Sequence, residues 1–348
     1  MLAEDSLNPA PRHSLRQVAE AAGVSTMTVS RAFRKNASVR PAVRARILEL
    51  AQKMGYAPDP RITSVMGALV RRSQPSYRET LAYIGYQVST DNAHMERFHK
   101  GAVRRAVDLG YRLDSFWLKE KTMSFSRLDR MLRARNIRGL IIGPPLYQAH
   151  GHVRLGWNRY VAVTMGSSLW KPRLNRVQHH HYMGMILALR IVRQHRGKRI
   201  GLVISSLLNS RGQGSLISSF LTNQAGPSAE LSRRVHLYTD WDKNRFTAWL
   251  KQTRLDVIIC GQLDEVRRIE PYTAEYGFRI VCMDVISEGT AVAGIDQHYE
   301  VIGSHAVDLV LSELQHRKFG LPEHPKTLMI EGSWCEGPGF PASSRHAT

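Results

Sequence analysis

The sequence predicts two architectures in one chain: an N-terminal all-α unit of short helices, then an α/β core of two subdomains. Two observations carry this reading. Residues 14–56 are dense in short amphipathic helical patterns. From Thr80 onward, short apolar runs alternate with longer helical patterns, as in parallel sheets joined by crossover helices. Roughly ten such units exceed what one small sheet accommodates, so two subdomains are expected.

In the first unit, Ser14 and Gln17 read as an S-x-x-Q capping box, which starts a helix. Leu15, Val18, Ala19 and Ala22 share one face of it. Gly23 breaks the helix and permits a tight turn. Ser25 is placed to cap a second helix with Val29, Ala32 and Phe33 inward. A third helix has Val43, Ile47, Leu50, Ala51 and Met54 at core spacing. Two short helices around a glycine turn, then a third, make a helix-turn-helix pattern. The second helix of such a motif meets the major groove with its first residues. There the outward positions are Thr26, Met27, Ser30 and Arg31. Arg31 can donate two hydrogen bonds to guanine, and Met27 can touch a thymine methyl. Ser25 and Ser30 suit phosphates.

In the core, the strand candidates are residues 81–86, 111–118, 139–143, 160–165, 199–205, 256–260 and 279–283. Helical stretches are expected near 96–109, 124–135, 181–195, 211–224, 243–253, 263–276 and 299–317. PDP at 58–60 and RRSQPSYRE at 71–79 bracket a linker.

Composition limits the function classes. The 348 residues are 43% hydrophobic and 22% charged, an ordinary globular balance. No apolar run approaches the ~20 residues that span a bilayer. The polar N-terminus lacks an apolar h-region, so no secretory signal is visible. Cys260, Cys282 and Cys335 are far apart without CxxC spacing, which suits a reducing, cytoplasmic compartment. The net charge of +20 fits a polyanionic partner, most simply nucleic acid. Residues 1–73 hold 12 Lys and Arg against 5 Asp and Glu, so charge alone does not locate the nucleic-acid end.

VAEAAGVSTMTVSR, from Val18 to Arg31, followed by Val39, Arg44 and MGYAP at 54–58, resembles the lac repressor (LacI/GalR) family, which reads V-A-x-x-A-G-V-S-x-x-T-V-S-R there. The resemblance implies a helix-turn-helix domain over 14–58 and a hinge helix and linker over 59–79. It also implies a periplasmic-binding-protein-like core over 80–340. That core would be two Rossmann-like subdomains, the first about 80–195 and 297–322, the second about 196–294 and 325–340. Carried over by position, Thr26, Met27 and Arg31 would read bases. Arg34 stands at the family's usual Asn and Arg40 at its usual Ser, each placing a charge against phosphate and steepening the salt dependence. The hinge match, DPRITSVMGALVRR at 59–72, is looser. A wedge from Val65, Met66 or Leu69 into the minor groove and a linker helix packing on a dimer mate are both open.

Ligand positions depart from the family pattern. Its V-x-x-D-N-x-x-G is VQHHHYMG here, with His180 and His181 on the Asp and Asn positions. R-x-x-G is kept as Arg211 and Gly214, and C-A-N-D reads CGQLD, with Gln262 on the Asn. Asp284 is the late Asp. These five, His180, His181, Arg211, Gln262 and Asp284, are the effector-binding candidates. Trp117, Trp157, Trp170, Trp241 and Phe98 either stack on a sugar or fill the core. Consecutive histidines sit about 100° apart on a helix and share no face, whereas metal pairs use i, i+3 or i+4 spacing. No metal site, catalytic residue or cofactor is expected.

The expectation is a cytoplasmic homodimeric transcription regulator, a repressor before an activator. Its partners would be a double-stranded operator and a small, sugar-like effector. A periplasmic-type sugar binder and a metal-dependent hydrolase using His179–His181 are the alternatives.

Overall fold

The computed structural model describes residues 15–33, 40–54, 56, 79–86, 93–118, 123–145, 151–285 and 292–341. The chain divides into two units, Met1–Pro75 and Ser76–Thr348. Ser14 of the expected capping box, Arg34 and the whole 59–72 stretch, Val65 included, lie outside the described residues.

The first unit holds α1 (Leu15–Ala22), α2 (Thr26–Ala32) and α3 (Pro41–Lys53). Val18, Ala19, Ala22, Val29, Ala32, Ile47 and Ala51 form one buried cluster, small side chains that let short helices approach closely. Gly23 adopts φ +63° between α1 and α2, a conformation that costs a side-chain-bearing residue roughly 1–2 kcal/mol. Ser25 Oγ accepts from the Thr28 N–H at 3.2 Å, starting α2 as an N-cap does. Arg44 Nε donates to the Ala32 carbonyl at 3.0 Å, satisfying an orphan acceptor at the end of α2. Pro41 opens α3, where its missing N–H costs nothing.

The second unit contains two six-stranded sheets. In the first, β1 (Thr80–Gly85), β2 (Arg112–Trp117), β3 (Gly139–Ile142), β5 (Val161–Met165), β7 (Asn175–His179) and β13 (Thr327–Ile330) lie in the order β13-β7-β5-β3-β1-β2. All neighbours are parallel. A short pair, β4 (Gly151–His152) and β6 (Leu169–Lys171), stands apart. In the second sheet, β8 (Ile200–Ser205), β9 (Val235–Tyr238), β10 (Val257–Cys260), β11 (Arg279–Val285), β12 (Ala293–Asp296) and β14 (Ser333–Cys335) are ordered β14-β12-β11-β10-β8-β9. Only the β12–β14 pair is antiparallel. Parallel strands covered on both faces read as continuous apolar runs, and GLII and VIIC are fully buried.

The helices of the first sheet include α4 (Ala93–Asp108), α5 (Phe125–Ala134) and α13 (Tyr299–Gln315). Those of the second include α6 (His181–Gln194), α7 (Ser206–Arg211), α8 (Ser215–Thr222), α9 (Ser228–Arg233), α10 (Lys243–Thr253), α11 (Leu263–Ile269) and α12 (Thr273–Tyr276).

Two subdomain boundaries differ from expectation. Helix α6, expected in the first subdomain, buries Met185, Ala188, Leu189 and Val192 against Ile200, Leu202, Val257 and Val281 of the second sheet. Strand β13, expected in the second, pairs with β7 of the first. The chain therefore crosses between subdomains at 179–181, 296–299 and 330–333. The stretch expected as one helix over 211–224 is two, α7 and α8, divided at Gly214 with φ +73°.

Candidate functional site

In open α/β sheets, ligands bind outside the carboxyl ends of the strands. Both sheets offer such ends to one cleft. Ser167 follows β5, His179 ends β7, and Gln297 and Tyr299 follow β12. Arg211 ends α7 after β8, Gln262 follows β10, and Asp284 lies near the end of β11. His94 and Phe98 of α4 complete the wall. The cavity within the cleft is about 120 Å³. At roughly 10–15 Å³ per water on that measure, it holds a ligand of about ten non-hydrogen atoms.

Of the five effector candidates, His181, Arg211, Gln262 and Asp284 line this cleft. His180 does not. It is the N-cap of α6, its Nδ1 accepting from the Met183 N–H at 3.4 Å. Its backbone N–H donates to Ile330 at 2.8 Å. The residue that takes its place is His179, whose Nδ1 donates to the Gln297 carbonyl at 3.0 Å. That bond sets the neutral tautomer and leaves Nε2 as an acceptor. In the structure β7 buries alternate residues and His179 is the last of them; with one apolar residue in N-R-V-Q-H, no such alternation is legible in the sequence. His94, Gln178, Ser167 and Tyr299 carry no local signal either.

Three interactions cross the cleft. Tyr299 donates to Asp284 Oδ2 at 2.7 Å. His94 Nε2 stands 3.7 Å from the same oxygen. Ser167 Oγ donates to the Arg211 carbonyl. Four buried polar atoms on lining residues have no protein partner: Gln178 Oε1, His181 Nδ1, Arg211 Nε and Asp284 Oδ1. Buried polar groups are nearly always paired, with protein or with ordered water, so these four atoms present unfilled hydrogen-bonding capacity to the cleft.

Burial and charge set the ionisation. Burial, then the neighbouring Arg211 and His180, lowers His181 to about 4. Burial, then His181, holds His179 well below the usual histidine range. Burial raises Asp284, against the pull of His94, Tyr299 and Arg211. Both His179 and His181 are therefore neutral at pH 7. Unfolded, His181 takes up its proton near pH 6.5; folded, only near 4. Between those values the unfolded chain binds more protons, so stability falls as pH drops. The expected loss from His181 is about 3 kcal/mol over that range. Urea unfolding at pH 7, 6 and 5 checks it: His181→Asn should flatten part of the slope, and an unchanged slope would sink the assignment.

Among the aromatic candidates, Phe98 lines the cleft, with its ring 4.7 Å from that of Tyr299. Trp117 packs on Tyr83 at 5.7 Å. Trp157 and Trp241 pack against the cores, and Trp170 is exposed outside the cleft. Among the described residues, no group of three or more His, Cys, Asp or Glu is placed to hold a metal ion. Nor is any described helix long and apolar enough to cross a membrane.

In the first unit, Ser25, Thr26 and Arg40 are exposed. Buried Val29 and Ala32 fix the inner face of α2.

Residues 14–59 match the family described as bacterial regulatory proteins, lacI family. The sucrose operon repressors of Shigella flexneri and Escherichia coli are 42% identical over 77 residues, covering 22% of this chain and 22% of each relative. The match thus spans about a fifth of the length of the curated relatives. A solved lac repressor dimer, bound to operator and the anti-inducer ONPF, is similar in fold (TM-score 0.55, 16% identity, 95% of this chain and 100% of that one). So is a lacI-family CcpA from Weissella paramesenteroides with bound glucose (TM-score 0.52, 14% identity, 74% and 97%).

Proposed function

We propose that this chain, whose N-terminal segment belongs to the lacI family of bacterial regulatory proteins, is a transcription repressor controlled by a small polar effector. It acts in the cytoplasm as a homodimer and has no enzymatic role. The observation that carries the reading is the pairing of two features in one chain. One is a family-matched helix-turn-helix segment; the other is a core of the lac repressor fold whose cleft gathers unpartnered buried polar atoms. The relatives' printed names, a sucrose operon repressor and a lac repressor on operator, support repression and an operator partner. Bound glucose in a similar fold supports a saccharide-like effector.

The mechanism follows from differential binding. α2 reads a half-site with Thr26, Met27 and Arg31, while Ser25, Ser30, Arg34 and Arg40 hold phosphates and Val65 wedges at the hinge. An effector shifts operator affinity only if the cleft binds it differently in the two states. Contacts that cross the cleft, such as Tyr299–Asp284, are where that difference arises.

Fluorescence anisotropy on palindromic operators tests the reading. Arg31→Ala is expected to lose 10- to 100-fold discrimination at one base pair, as for a bidentate guanine contact of about 1–3 kcal/mol. Unchanged discrimination would remove Arg31 from the reading surface. Arg40→Ala should weaken all sequences alike and reduce the salt slope by about one.

A further inference from the structure

We infer that this chain carries a second ligand site, outside the cleft, which takes the phosphate of a ring-bearing small molecule. The site stands independently of the repressor reading above; only its effect on the operator rests on that reading. It is a pocket of about 310 Å³ at the β13 edge of the first sheet. Trp170 of β6, Arg173 before β7, Arg176 and Gln178 within β7, and Thr327 of β13 line it. Gln213, in the turn after α7, reaches it from the second subdomain.

The charge in this pocket has one sign. Arg173 and Arg176 line it, and no acidic residue does. Arg176 is half-buried. Its Nη1 donates to the Gly166 carbonyl at 3.3 Å and its Nη2 to the Leu169 carbonyl at 3.0 Å. Carbonyls occupy those donors without cancelling the charge. Burial, then the like charge of Arg173, disfavours the proton on Arg176, and no acid is among the charges acting on it. Both guanidiniums stay protonated at any working pH. In this the pocket differs from the cleft, where Asp284 acts on Arg211.

The lining selects the ligand. A phosphate monoester carries about −1.5 to −2 near pH 7, which matches two guanidiniums, and its oxygens accept their forked N–H pairs. A single carboxylate would match one. Trp170, 48% exposed, offers an indole on which a base or a sugar face can stack. Gln178, Gln213 and Thr327 can bond hydroxyls or ring nitrogens. At roughly 10–15 Å³ per water on the measure applied to the cleft, the pocket holds about 20–30 non-hydrogen atoms, the size of a nucleoside monophosphate.

The pocket also shares walls with the cleft. Gln178 lines both, with its Oε1 buried and without a protein partner. The two carbonyls held by Arg176 flank Ser167 and Ser168, which line the cleft. Gln213 follows Arg211 and Gly212, which line it too. A phosphate on Arg176 therefore acts on segment 166–169, one wall of the cleft.

Titration calorimetry on the full chain, at matched ionic strength, tests this with AMP against adenosine and glucose 6-phosphate against glucose. In at least one pair the phosphorylated member is expected to bind at least tenfold more tightly. Tighter binding of AMP would put a base on Trp170; tighter binding of glucose 6-phosphate would put a sugar face there. Arg173→Gln, at an exposed position, should cut the phosphate preference severalfold while leaving the Arg176 bonds to the carbonyls intact. Arg176→Gln should cut it further, and Arg211→Gln should leave it. Thermal melting of each variant verifies that it is folded. No preference for phosphate in either pair, a preference indifferent to both Arg173→Gln and Arg176→Gln, or one that disappears with Arg211→Gln would overturn the inference. So would a panel in which nothing binds. Operator affinity should shift at least threefold when the site fills; if it does not, the link to the operator falls and the site remains.

Discussion

Arg211→Met is expected to raise the melting temperature of the ligand-free protein while abolishing its response to effector. The two effects have one cause. Arg211 contributes a partly buried guanidinium whose Nε has no protein partner; Asp284 and Tyr299 offset its charge, but the unmade buried hydrogen bond costs about 1–3 kcal/mol. Methionine fills similar length without the charge and adapts to irregular space. The gain is expected to be about 1–3 kcal/mol, the scale seen when buried ionic groups give way to apolar ones. For a unit of this size that is several degrees in melting temperature. Effector affinity should fall 100-fold or more, since a hydrogen-bonded charge contact typically carries about 2–5 kcal/mol when one partner is removed. Scanning calorimetry with and without ligand reads both. A variant that melts lower than the unmutated chain would show that Arg211 is satisfied in the ligand-free state, and the site would need another anchor.

The second large effect concerns packing. Gly303→Ala should cost about 3 kcal/mol or more, the upper range for forcing atoms into a filled core. A Cβ at Gly303 would lie 2.2 Å from the Phe98 carbonyl oxygen and 2.9 Å from the Ala102 amide. On the facing helix, a Cβ at Gly101 would lie 2.0 Å from the Glu300 carbonyl oxygen. Backbone cannot step aside as a side chain can, so α4 and α13 must separate. That separation would also shift Phe98 and Tyr299 in the cleft. Gly184→Ala is the control. Its Cβ would meet Met283 at 3.5 Å and Ile295 at 3.6 Å, ordinary contact distances, and alanine favours a helix over glycine by roughly 1 kcal/mol. Chemical denaturation should therefore separate the two glycines in sign. Equal effects would mean that the close approach of α4 and α13 is not rigid.

Much of this fold was legible in the sequence because its central strands are short apolar runs with no competing period. GLII and VIIC have every residue buried, and nothing but a covered parallel strand explains such a run between helical patterns. The strands not anticipated include the edge strands β9, β13 and β14 and the interior β7 and β12. β13 exposes Leu328 and Met329, so its composition did not report its partner. β12 carries Gly294, whose Cβ would meet the Cys282 carbonyl oxygen at 2.0 Å; close backbone approach, rather than propensity, dictates that glycine. For the cleft, residues tied to a motif were found: Arg211, Gln262, Asp284 and His181 all line it. His180 was misplaced by one position because aligning it to an acidic residue says nothing about which side of the N-cap faces the ligand. His94 and Tyr299 come from distant elements and meet Asp284 only through tertiary folding.

The three crossings between the subdomains have a mechanical consequence. His179, His181, Gln297 and Tyr299 all border the cavity, and all lie within the first two crossings. At the second, His298 already holds a left-handed backbone at φ +54°. The third, after Ile330, is tied to the first by the His180 N–H bond to Ile330. The residues lining the proposed effector cleft are thus among those that connect the two halves. Under the proposed function, a ligand held by them would act directly on the backbone that joins the two halves. Substitutions there should alter how far the halves rotate as well as how tightly the ligand is held, and the two properties should prove hard to evolve apart.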